Sequence, residues 1–360
     1  MPPCALRTER YGPASDPAPC HRLSAPDGSG VRVIETGAAW VEVLVPDREG
    51  RLANVTLAHR APRAYRTNRA YLGAVVGRTA GRIGGARYEL DGRRVALPAN
   101  EGRHHLHGGP DGWHRRRWRT VARGSDASSA WVEMALASPD GDQGHPGRAE
   151  VRVRYAWTVR HELLVHIRVR ADAPLIANPT HHATWNLAGE GRGSVHGHRL
   201  SVAADAVAET ASDRVATGRR RSLDGSSLDL RRPRTIGSVV PDAPPLAAFP
   251  GDVDHAFLLE DGGVEGVPGL AREAAFLEEP ASGRTLTVRT GEPCLQVYTG
   301  SGLDGSAVGP SGAPYPRGAG VALEPQRLPL AFDPDGWTVR PGEERSWSAA
   351  FAFGVAGPRR

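Results

Sequence analysis

The sequence predicts an all-β protein, built as a large antiparallel β-sandwich. Three observations carry this expectation. Apolar residues recur with period two over many short runs, as on strands that bury one face. The 44 glycines and 30 prolines are spread along the 360 residues, which marks frequent turns and not one disordered tail. Segments with a convincing helical period are few. So many strands need both a core and protected edges, and two packed sheets supply both.

Taken in order, residues 1–28 read as a loosely ordered leader, and residues 29–356 as a single β domain. In "GARYELDGRRVALP", the pair Asp91-Gly92 separates short runs at residues 88–90 and 95–97. Asp-Gly between strands is a strong hairpin signal. Val151, Val153, Tyr155, Trp157 and Val159 then alternate with mostly polar residues. After a turn near His161-Glu162 the alternation resumes at Val165, Ile167 and Val169, giving a longer hairpin with one buried face. "GLAREAAFLEE", residues 269–279, fits either a helix or one arm of a hairpin turning at Ser282-Gly283. "RTLTVRT" and "CLQVYTG" repeat the two-residue period, and "RSWSAAFAFGV" closes the chain as a strand.

Composition excludes several classes of function. The net charge is +5 and no lysine occurs, so every basic side chain other than histidine is an arginine. That removes Schiff-base chemistry and the lysine of a phosphate loop. The arginines are scattered among acids, which describes a solvated surface and not a nucleic-acid face. No apolar run approaches the ~18 residues that mark a membrane span. The N-terminus lacks the apolar core of a secretory signal, so a cytoplasmic protein is expected. Cys4, Cys20 and Cys294 form no C-x-x-C pair, which argues against a disulfide framework or a zinc ribbon.

Three stretches could carry chemistry. "RHHLHGGPDGWHRRRW", residues 103–118, holds four histidines and four arginines. On a strand, His105 and His107 share a face, and such a pair can bind a metal if a third ligand joins it. Asp254, His255, His181 and His182 are the candidates, though no fixed spacing supports that reading. The two glycines after His107 let the backbone turn sharply and leave its imidazole at a strand end. "GRTAGRIGG" misses the spacing of a phosphate-binding loop, and a hairpin follows it where that loop needs a helix. "VALEPQRLPL" places Glu324 at a strand end beside Pro325, as a turn residue or as a base held in a pocket.

Together these stretches resemble the aldose 1-epimerase (mutarotase) family, over residues 30–355. "YLGAVVGRTAGRIGGARYELDGRRVALPANEGRHHLHGG" is similar to the family's G-R-x-x-x-R-I run ending in L-H-G-G. "SPDGDQGHPG", "NPTHHATWNLAG", "DVDHAF" and "VALEPQRLP" resemble four further family segments, in order. The resemblance implies a galactose mutarotase-like supersandwich with a sugar-binding cleft, and no metal or organic cofactor. It implies Glu324 as catalytic base and His182 as the acid that protonates the ring oxygen. Arg82 and His107 would bind on the ring-oxygen side, Asp254 would hold sugar hydroxyls, and Gln326 would contact substrate. On this reading Glu324 starts ionised and His182 protonated.

The chain departs from the family pattern around these residues. Ala183, Thr184 and Trp185 stand where serine, tyrosine and phenylalanine are usual, Gly81 where asparagine is frequent, and Leu330 where an aspartate often follows. Trp185 and Trp113 are candidates either for stacking on a sugar or for the core. The leading expectation is therefore an aldose 1-epimerase acting on a small sugar, as a monomer or homodimer. A mutarotase-fold enzyme recruited to another proton transfer in a biosynthetic pathway is the second. A carbohydrate-binding protein without turnover is the third, and the pairing of an acid with a base argues against it.

Overall fold

The computed structural model describes residues 3–239, 252–259 and 272–357. Three antiparallel sheets dominate. A five-stranded meander runs Ala5–Tyr11, Ala18–Ser24, Gly30–Ile34, Trp40–Pro46 and Leu52–Asn54 in sequence order. A nine-stranded sheet has the long hairpin Ala149–Thr158 and Glu162–Ala171 near its middle, joined by the closing strand Glu344–Val355. A six-stranded sheet is ordered Thr184–Trp185, Val321–Gln326, Cys294–Tyr298, Asp254–Leu259, Ala204–Thr210 and Ala216–Ser222. Among the described residues no α-helix is present, only short 3-10 turns. None of their helices is long and apolar enough to cross a membrane.

Local chemistry accounts for the hairpins. Asp91 and Gly92 both take positive φ, 48° and 74°, as a two-residue type I′ turn requires. In the long hairpin Val151 faces Val169, Val153 faces Ile167 and Tyr155 faces Val165. Those side chains are buried while Arg152 and Arg154 between them are exposed. The segment that fits helix or hairpin resolves as a strand, Arg272–Glu278, paired with Arg284–Thr290. Residues 269–271 of that segment lie outside the described residues.

One aromatic cluster joins the three sheets. Trp40 of the meander packs edge-on against Tyr155 and Phe351 of the nine-stranded sheet, with ring centroids 5.4 and 5.6 Å away. It also meets Trp185 of the six-stranded sheet at 5.9 Å. Trp185 completes the wedge against Phe351 and Phe353, at 5.3 and 5.4 Å. Aromatic side chains bury large apolar areas, and these geometries add to that burial.

The loose leader expected over residues 1–28 is overturned. Residues 5–11 and 18–24 are two strands of the meander, and Leu23 pairs with Val31. Cys4, Cys20 and Leu23 are at most 2 % exposed. Arg7 and Arg10 of "RTERY" are exposed on this edge strand, and the half-buried Glu9 pairs with Arg32. A chain lacking residues 1–25 is expected to melt at least ~5 °C lower than the full chain, or to be insoluble. Each lost core side chain costs about 1.5–3 kcal/mol of burial. Circular dichroism melts test this, and an unchanged Tm contradicts it.

Candidate active site

The six-stranded sheet is dressed differently on its two faces. On Val321–Gln326, Val321 and Leu323 join the main core, while Glu324 and Gln326 line a cavity of about 270 Å³. On Cys294–Tyr298, Leu295 and Val297 point to the core, and Gln296 and Tyr298 to the cavity. On Asp254–Leu259, Phe257 and Leu259 are core, and Asp254 and Ala256 line the cavity. The period of two thus sorts apolar from reactive groups strand by strand. Register does the rest, since Gln296 sits opposite Glu324, and Asp254 opposite Tyr298.

Loops from earlier in the chain form the rest of the cavity wall. His107 follows the two-residue strand His105–Leu106 and takes φ 49°, with Gly108 and Gly109 at 80° and 88°. A Cβ on Gly108 would lie 1.7 Å from the carbonyl oxygen of Gly77, so only glycine allows this close crossing. The main-chain N–H of Gly81 donates to His107 Nδ1 at 3.3 Å, which leaves the ring proton on Nε2. Arg82 makes two bonds to Glu101, at 2.5 and 2.8 Å, and its Nη1 lies 4.0 Å from Asp254. Asp254 accepts from Gln296 at 2.7 Å.

Glu324 and His182 meet at 3.6 Å between Oε1 and Nε2, and both are buried. Glu324 Oε2, His182 Nδ1 and Gln326 Oε1 have no hydrogen-bond partner among the described residues, and all three residues line the cavity. Buried polar atoms without partners are rare, and a polar ligand would satisfy these. Burial, with the Asp254 charge second, pushes the Glu324 carboxyl up to about 8. Burial pulls the His182 imidazole down to about 4. His107 falls well below its usual value, again through burial first and then through His182 and Arg82. Burial thus favours the neutral form of each partner, the reverse of the starting charges that the resemblance implies.

The structure brings Glu324, His182, Arg82, His107, Asp254 and Gln326 to one cavity. Trp185 is excluded from it. It is fully buried in the aromatic wedge, because it pairs with Val321 and shares that residue's core-facing side. Trp113 is likewise core, pressed under Gly77. Thr184 is buried against Gly320 and Leu57, so its departure from the family pattern does not touch the cavity. Gly81 does line the cavity, and a Cβ there would meet nothing within 4 Å. Leu330 packs with the hydrophobic cluster around Trp337.

The histidine-rich stretch divides in the same way. His105 does not share a face with His107, because the positive φ at His107 breaks the alternation. His105 instead lies beside His145, with ring centroids 5.5 Å apart, and its Nδ1 bonds the Pro98 carbonyl. Among the described residues no three His, Cys, Asp or Glu side chains are grouped to hold a metal.

Sequence reasoning missed Tyr71, whose ring is 4.6 Å from His107 and 5.7 Å from His182. It also missed Arg78, four residues before Arg82. The buried Arg78 guanidinium bonds the carbonyls of Pro139, Pro146 and Gly147, each at 2.8 Å, and so braces "SPDGDQGHPG" behind the cavity. The G-R-x-x-x-R run holds one structural and one site arginine.

Glu324 binds its proton more tightly in the fold than in the unfolded chain, where it titrates near its ordinary 4.5. Stability from this group is full below about pH 4.5 and is lost as pH rises through about 8. Glu324→Gln carries no such proton. Its Tm relative to wild type is expected to improve by several degrees between pH 4.5 and pH 9, read by calorimetry, and a constant gap would contradict the buried carboxyl.

Comparison with known proteins agrees with this geometry. The sequence model of the aldose 1-epimerase family matches residues 19–352. Galactose mutarotase of Bos taurus is 35 % identical over 331 residues, 91 % of each chain. Aldose 1-epimerase of Escherichia coli (strain K12) is 33 % identical over 349 residues, 94 % of this chain and 97 % of that one. A solved aldose epimerase homologue from C. elegans is 25 % identical, with a TM-score of 0.82 over 98 % of this chain and 100 % of that one. The galactose 1-epimerase structure from Lactobacillus acidophilus NCFM shares the fold, with a TM-score of 0.83 at 24 % identity over 98 % of this chain and 100 % of that one. Both the family match and these relatives run nearly the length of the chain, and on that ground it belongs to the aldose 1-epimerase family.

Proposed function

We propose that the protein interconverts the α and β anomers of an aldose, or of a related cyclic hemiacetal, by acid–base ring opening and closure. The observation that carries this is the meeting of Glu324 and His182, 3.6 Å apart in a polar cavity. The names of the relatives support an isomerase of this kind over a recruited biosynthetic enzyme or a binding module. We place it in the cytoplasm, as a monomer or homodimer; that its three cysteines are free and buried supports a reducing compartment.

Ring opening takes a proton from the anomeric hydroxyl and delivers one to the ring oxygen. Rotation about C1–C2 and reclosure in the reverse sense give the other anomer. Glu324 is the base and His182 the acid in this scheme, so the pair must enter its charged form, Glu324 ionised and His182 protonated, before ring opening. Hydroxyls of a bound sugar stabilise the separated charges, which burial alone disfavours. His107, offering Nε2–H, and Arg82 stabilise charge developing at the ring oxygen. Asp254 and Gln326 accept or donate hydrogen bonds to the remaining hydroxyls.

Glu324→Gln and His182→Asn are each expected to lower turnover by ~10²–10⁴ with the fold intact, measured by NMR exchange between anomers. Either variant keeping near-full activity overturns the assignment. The pair works while it holds one proton in total, so kcat/KM should be bell-shaped, falling below about pH 4 and above about pH 8. A flat profile after subtraction of the uncatalysed rate would count against the pair.

A further inference from the structure

We propose that the sugar taken by this cavity carries a negative group, a carboxylate or a phosphate, away from its anomeric carbon, held by Arg214 and Arg69. This rests on the anomer-exchange reading above and specifies the substrate class. Four arginines line the cavity: Arg69, Arg82, Arg214 and Arg327. Two of them are matched by carboxylates. Arg82 is held by Glu101, and Arg327 Nε lies 3.5 Å from Glu292. Arg214 pairs with Asp254 only loosely, at 3.9 Å and without a hydrogen bond, and the same carboxylate lies 4.0 Å from Arg82. Arg69 makes no ion pair or hydrogen bond with any described residue. The guanidinium groups of Arg69 and Arg214 are exposed to solvent, whereas Glu324 and His182 lie buried. The excess positive charge therefore sits at the mouth, away from the acid–base pair.

Both arginines sit on tied backbone, as a binding site needs. Arg214 takes φ 65° in the turn that joins the last two strands of the six-stranded sheet. An arginine in the left-handed region costs about 1 kcal/mol or more, so its surroundings must hold it there. Asp213 supplies the hold. It bonds Arg103 at 2.7 Å and lies 3.2 Å from His104 Nε2, which pins the turn to the histidine-rich loop. His104 is fixed in turn by the Gly85 N–H on its Nδ1, at 3.1 Å. Arg69 follows Asn68, whose fully buried amide accepts from Leu72 N–H and meets His59 Nε2, both at 2.9 Å. A guanidinium held at a cavity mouth suits planar carboxylate or phosphate oxygens, and charge-assisted bonds are stronger than those to a hydroxyl. Gly81, with open space where a side chain would project, leaves room for the added group.

The test is anomer exchange by NMR on α-glucose, α-galactose, glucuronate, galacturonate and glucose 6-phosphate, with the full chain and with Arg69→Ala/Arg214→Ala. The expected result is a kcat/KM at least tenfold higher for a charged sugar than for either neutral hexose. The double variant should shrink that ratio tenfold or more, and 0.3 M salt should shrink it in wild type. The faster of the uronates and the phosphate identifies the anion. Equal or faster turnover of neutral hexoses overturns the proposal and leaves the anomer-exchange reading standing, as does a double variant that slows charged and neutral sugars alike. No acceleration of any sugar overturns both.

Discussion

The registration of Val321–Gln326 against Cys294–Tyr298 is the constraint on which the site depends. It sets Gln296 opposite Glu324 and Leu295 opposite Pro325. A slip of one residue would turn Glu324 into the core and Leu323 into the cavity, because side chains alternate with a strict period of two. The hydrophobic effect forbids that slip. Val321, Leu323, Leu295, Val297 and Phe257 all lie in the main core, and their burial holds three strands in register at once. Thus the groups that face the cavity are positioned chiefly by apolar groups that never meet it.

The same burial gives the acid–base pair its character. Glu324 and His182 sit deep, with atoms left unbonded and with neither charge well solvated. A fold selected only for stability would not keep two such groups side by side. Some other buried polar groups are spent on the scaffold. Arg78 commits its guanidinium to loop carbonyls, and Asn68 commits its amide to His59 and to the backbone of its own loop.

Much of this was legible in the sequence. The Asp91-Gly92 hairpin, the long hairpin at residues 149–171 and the closing strand follow from turn chemistry and alternation. Glu324, His182, His107, Arg82, Asp254 and Gln326 could be named because the resemblance to the family carried them. What failed depended on pairings between distant segments. Trp185 is core because it faces Val321, which no local pattern reveals. His105 parts from His107 because one residue adopts positive φ. The first two strands look like a leader because the first, at the sheet edge, tolerates charge, the second carries Pro19 near its start, and the apolar residues of both find partners only in the assembled sheet. Residues 272–278 form a strand because neighbours on both sides supply hydrogen bonds, which outweighs a moderate helical pattern.

The cavity has a pleated floor and a looped mouth, and the two are free to change to different degrees. Replacing a floor residue disturbs a register shared by several strands, so such changes must come together or not at all. Gly81 and Arg214 stand on turns whose side chains enter no core cluster. Changes there leave the strand register untouched, within the limit that φ 73° at Gly81 and φ 65° at Arg214 favour residues that tolerate the left-handed region. An ancestral sequence could therefore drift from one sugar to another in small heritable steps, its chemistry sheltered while its appetite changed.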